Sequence, residues 1–74
     1  DRELLDLAMA RARERVAANT WEAFKLVALD QLPPQAVADQ LGVRVSQVYL
    51  AKHRVQKLLQ EEIRVLEGAG NAAG

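Results

Sequence analysis

Arg44, Ser46, Gln47, Tyr49, Leu50, His53, Arg54 and Lys57 are the residues whose types and spacing suit chemistry, and that chemistry is the reading of a nucleic-acid groove. They stand between Asp39 and Glu61, a window that holds no acidic residue and also contains Lys52. An arginine fork pairs with guanine, glutamine pairs with adenine, and leucine touches a thymine methyl. Serine and lysine suit phosphate oxygens, as does a helix N-terminus near Val45. With Val48 at the centre of a buried side and a step of about 100° per residue, Ser46, Leu50, His53 and Lys57 lie opposite it. Gln47 and Arg54 flank that set on one edge, and Tyr49 on the other. Lys52 falls about 40° from the buried centre and is expected to snorkel. Each residue also has a plainer reading. The window would then be a solvated helix face that happens to lack acids, with Tyr49 half in the core and Leu50 marking a protein contact.

Other chemistries find no support in these residues. Cysteine is absent and His53 is the single histidine, so no metal-spaced ligand set or thiolate site is expected. No glycine-rich phosphate loop and no nucleophile–base pairing is present, so an enzyme is not expected, nor a cofactor or small-molecule substrate. Asp1, Glu3, Asp6, Glu61 and Glu62 read as solvated helix surface.

The segments that carry and surround these residues read as helices throughout. A first helix is expected from about Arg2 to Val16, with Leu5, Ala8, Ala12 and Val16 in one stripe and Leu4 and Met9 widening it. Arg11, Arg13 and Arg15 fall on its other faces. A second is expected from about Thr20 to Leu29, with Asn19 or Thr20 as N-cap and Asn19 and Glu22 at capping-box spacing. Trp21, Phe24, Val27 and Ala28 form its buried side. Leu32-Pro33-Pro34 stops that helix, and Pro34 opens a short third one ending at Leu41. Gly42 can take the left-handed conformation of a tight turn. The fourth helix starts near Val45 and is expected to reach about Glu67, with Val48, Ala51, Val55, Leu59 and Leu66 on one face and Leu58 and Ile63 beside it. Residues 68–74 are small, and read as a flexible tail.

Residues 34–57 satisfy the offsets of a helix-turn-helix. Ala38 is small where the second helix crosses, Gly42 follows four residues later, and Val37, Leu41 and Val43 flank these points. Val48 and Ala51 stand three apart, where the second helix must pack. The alternative is an ordinary helical hairpin in a small bundle. The expected fold is therefore all-α: a four-helix domain over residues 1–67 with a helix-turn-helix core at 34–57, no wing, and a long C-terminal recognition helix.

Composition sets the outer limits. The 74 residues suit one domain, and half of them are hydrophobic, which is too many for a disordered tail. Ten basic and ten acidic residues leave a net charge of zero, so binding to nucleic acid must rest on where the charge sits. Apolar runs are short, so no membrane span is expected. No signal segment is read, a cytoplasmic location is expected, and the opening on Asp1 suits a piece of a longer chain.

The stretches Asn19 to Leu29, Ala36 to Val43 and Val48 to Val55, with Leu58, resemble region four of bacterial sigma factors of the extracytoplasmic-function group. The resemblance covers about residues 19 to 63. It implies that the last helix reads the upstream promoter element in double-stranded DNA. It further implies docking on the β-subunit flap of core RNA polymerase and covering by an anti-sigma protein. Family contacts fall at positions matching Tyr49, Leu50, His53 and Arg54. Arg54 has the usual residue type there and the other three depart from it. Arg44 stands where the family often starts the helix with Ser, Thr or Pro. The promoter-melting region of the family has no counterpart here, so this chain alone is not expected to start transcription. Two other readings stay open: the output domain of another helix-turn-helix regulator, and a helical interaction module using the apolar positions that reach Leu66.

Overall fold

The computed structural model describes residues 2–72, and the described chain is all-α with four helices. Helix α1 spans Arg2–Glu14, α2 spans Ala18–Phe24 and continues as a π-helical turn over Lys25–Leu29, α3 spans Pro34–Leu41, and α4 spans Val45–Ala72. No helix among the described residues is long and apolar enough to cross a membrane.

Helix α1 buries alanines rather than leucines. Ala8 and Ala12 are fully inaccessible, while Leu5, expected in the stripe, is nearly half exposed, as is Leu7. Small side chains let α1 lie close against α4, and that close approach leaves the larger neighbours at the rim. Leu4, Met9 and Val16 are half-buried, as a widened stripe requires.

The start of α2 corrects the expected cap. Ala17 is the N-cap residue with extended backbone, its carbonyl accepts from Trp21 N–H at 3.1 Å, and no side chain caps the helix. Asn19 and Thr20 lie within the first turn, so the Asn19–Glu22 capping box does not form. Ala18 is a strong helix former, and it carries the start past them. The π-helical turn is closed by Asp30 N–H on the Lys25 carbonyl at 3.0 Å. That wider turn displaces the apolar face. Phe24 is buried as expected, Ala23 and Leu26 join it, and Trp21, Val27 and Ala28 are only half-buried. Trp21 and Phe24 meet at 5.4 Å between ring centroids, tilted by 40°, within the favourable range for aromatic pairs. Gln31 ends the segment with φ of 59°.

Helix α3 follows the sequence closely. Pro34 is its first residue, and Pro33 before it is held extended, as a residue preceding proline must be. Gly42 has φ of 69°, and the Ala38 carbonyl accepts both Gly42 N–H and, at 3.0 Å, Val43 N–H. This is a glycine-terminated helix end of Schellman type. An added Cβ at Gly42 would meet nothing within 4 Å. The glycine is therefore required by its backbone angle, not by crowding.

The central core joins Ala23 and Leu26 of α2 and its π turn, Val37 and Ala38 of α3, and Val48 and Ala51 of α4. Val27, Leu32, Leu41, Val43 and Val45 close its edges. Val55 is also fully buried, further along α4. Helix α4 runs beyond the other helices and stretches the molecule to 47 × 18 × 15 Å. It passes Gly68, where the sequence had suggested an end, and continues to Ala72. Once nucleated, a helix gains a hydrogen bond for each residue it adds, and a glycine subtracts only about 1 kcal/mol from that process. Residues 73 and 74 of the expected tail, and Asp1, lie outside the described residues.

Candidate nucleic-acid interface

The candidate face belongs to the first half of α4 and the turn before it. Val48, Ala51 and Val55 are pulled into the core, which fixes the rotation of the helix about its axis. With that rotation fixed, Arg44, Ser46, Gln47, Tyr49, Leu50, His53, Arg54 and Lys57 are all exposed. Tyr49 is 57% accessible, so it belongs to the surface and not to the core. Leu50, 67% accessible, is the most exposed large apolar side chain among the described residues. Lys52 is half-buried, as a lysine with its stem along the core edge should be.

The face is divided by geometry. Leu50, His53, Arg54 and Lys57 line one open groove together with Leu58, and Arg15 and Glu61 stand at its end. His53 and Lys57 also border a second groove with Gln56 and Gln60. Gln47 is set apart. It lines a cleft with Asn19, Thr20, Leu41 and Val43, where the start of α2 approaches the turn. Its Oε1 accepts the Arg44 backbone N–H at 3.2 Å, half of a capping box at the head of α4. Arg44 thus begins the helix despite lacking a capping side chain, because Gln47 satisfies the cap from within. Gln47 itself is exposed.

Arg54 and Lys57, the groove-lining cations contributed by α4, are free of ion pairs, whereas Arg15 on the same groove is paired. Three close contacts join α1 and the turn after it to two α4 carboxylates, Glu61 on that groove and the buried Glu62. Arg11 Nε lies 2.8 Å from Glu62 Oε1, and Arg15 Nη1 lies 2.9 Å from Glu62 Oε2 and 3.5 Å from Glu61 Oε2. Arg44, His53, Arg54 and Lys57 take part in no such pair. Asp39, the acid nearest in sequence before the window, accepts from Gln35 Nε2 at 3.1 Å on α3.

Glu62 corrects the sequence reading. It was expected on the solvated surface, yet it is the buried charged residue of the described chain, 7% accessible. The contact of Arg11 with its Oε1 is close enough for an ion pair but not aligned as a hydrogen bond, and Oε1 has no hydrogen-bond partner. The helical step that places Lys52 also places Glu62 about 40° from the buried centre, so its inward direction was legible. Its partners were not, since α1 is far away in sequence. Sequence reasoning also missed Arg15, Gln56 and Gln60 on the grooves. The two glutamines follow His53 and Lys57 at helical spacing and could have been found that way.

Among the described residues no group of three or more His, Asp or Glu is placed to hold a metal ion. No protein-family model, curated protein or solved structure matches the chain.

Proposed function

We propose that this chain is the promoter-reading domain of a bacterial RNA polymerase sigma factor, with α3, the turn at Gly42 and α4 acting as a helix-turn-helix. One observation carries the reading. The buried side of α4 is Val48, Ala51 and Val55, and the opposite side presents Ser46, Leu50, His53, Arg54 and Lys57 without an ion pair to any of them. A major groove admits a helix of this width, and the exposed set can address both base edges and phosphates. The likeness of residues 19 to 63 to sigma region four supports the same assignment. It adds core RNA polymerase, through its β-subunit flap, and an anti-sigma protein as partners, and a cytoplasmic setting.

In this reading Arg54 pairs with a guanine, Leu50 packs on a thymine methyl, His53 and Tyr49 reach the groove edges, and Lys57 and Ser46 hold phosphates. Gln47 gives its oxygen to the head of α4 and offers its amide N–H groups to the DNA. Selection from a random duplex pool, followed by titration at several salt concentrations, tests this. Recovery of one sequence motif, with affinity falling steeply as salt rises, is the expected result. A response flat in salt is incompatible with a helix seated in the groove.

A second reading is favoured by Leu50, Leu5, Leu7 and Val65, which leave apolar area in water. Under it the chain is a helical interaction module. A tight dimer in sedimentation, with no DNA bound, would establish it. Cooperative binding to a palindrome would instead favour a different helix-turn-helix regulator.

A further inference from the structure

The groove that carries Leu50, Arg54 and Lys57 does not end on α4. Its far end is formed by Arg15, from the turn after α1, and by Glu61. Arg15 is held there from below, with Nη1 on the buried Glu62 at 2.9 Å. Its contact with Glu61 is looser, 3.5 Å, and both side chains are about half exposed at 46% and 47%. A guanidinium has five N–H donors. The Glu62 bond engages one nitrogen of the fork, and the exposed pair with Glu61 is of the weak kind.

Resting on the promoter reading above, we propose that Arg15 is a further phosphate-binding residue, with Glu62 as its positioning anchor and Glu61 as a partner that the phosphate displaces. The geometry suits this. Glu61 lies four residues beyond Lys57, about 6 Å further along the helix axis. Neighbouring phosphates of one DNA strand are further apart than their roughly 3.4 Å axial rise, because each step also turns around the duplex, so this separation is about one phosphate step. A duplex seated on Arg54 with a phosphate at Lys57 would therefore bring the next phosphate of that strand toward Arg15. Exchange of a carboxylate for a phosphate keeps the charge of the guanidinium compensated throughout. Arg11 shares Glu62 but does not line the groove.

The test uses the intact chain and a mixed-sequence duplex of roughly 20 base pairs, because phosphate contacts are independent of sequence. Affinity is measured by fluorescence anisotropy at several salt concentrations for the unaltered chain, Arg15→Gln, Arg15→Lys and Arg11→Gln, with helicity checked for each. Arg15→Gln should make the log–log salt slope shallower by about 0.9, equal to about a 3.5-fold smaller loss of affinity between about 50 and 200 mM salt. Arg15→Lys and Arg11→Gln should keep the original slope. A steep slope that Arg15→Gln leaves unchanged overturns this proposal alone, and so does an equal flattening by Arg11→Gln, which would trace the effect to the Glu62 cluster. A flat response of the unaltered chain removes the promoter reading and this proposal together.

Discussion

At the scale of single residues, the decisive positions are those where one side chain settles a direction or a charge. Arg54 is free, exposed and edge-placed on α4. If it forms a bidentate pair, Arg54→Ala should lose about 1–3 kcal/mol of discrimination at one base pair, read by comparing affinities for the selected duplex and its single-base variants. Equal losses on every duplex would reassign it to a phosphate. Glu62 is a different case. It is buried, yet Arg11 and Arg15 beside it keep access to water. Glu62→Leu should therefore leave stability within about 1 kcal/mol of the original, because an apolar replacement of a buried ion pair is often neutral or better when its partners can rehydrate. A loss of several kcal/mol in urea unfolding would show that the cluster itself holds α1 in place. Gly42→Ala should cost about 1–2 kcal/mol from the left-handed backbone alone. Gly42→Asn should cost less, since asparagine tolerates that region better.

At the scale of elements, the sequence marked helix ends well where a residue has no alternative role, and poorly where several residues share the task. Pro34 and Gly42 bound α3 because one lacks an N–H and the other lacks a Cβ. Asn19 and Thr20 were natural caps by type, but the helix starts before them because nothing forbids Ala18 from being helical. Gln31 gave no signal at all. A left-handed glutamine is uncommon, and here it stands between the π-helical turn and Leu32, whose N–H donates back to the Leu26 carbonyl at 3.0 Å. Gln31→Gly should accordingly raise stability by about 0.5–1 kcal/mol, checked by thermal unfolding, because glycine adopts this conformation without the Cβ penalty. A fall in stability would mean that the glutamine side chain contributes more than its backbone strain costs.

At the scale of the whole molecule, α4 is the shared member. It supplies Val48 and Ala51 to the central core and Val55 and Glu62 further along, where Arg11 and Arg15 of the α1 region meet it. A continuous helix across both regions should make unfolding a single step. Trp21 fluorescence, which reports on α2, and far-ultraviolet circular dichroism, dominated by α1 and α4, should give one urea midpoint. Two separate midpoints would mean that the α1–α4 arm melts on its own.

The helical class, the bounds of α3 and the rotation of α4 were legible in the order of residues, and with that rotation the exposure of Ser46, Gln47, Leu50, His53, Arg54 and Lys57, while Tyr49 stayed open between surface and core. These follow from local causes: the period of apolar residues, the chemistry of proline and glycine, and the fixed step of a helix. Tertiary structure alone decided that alanines rather than leucines of α1 are buried, that a π-helical turn moves the face of α2, and that Arg15 reaches the end of the α4 groove. The first and the last of these depend on how closely helices distant in sequence approach one another, and periodicity within a single helix carries no record of that distance.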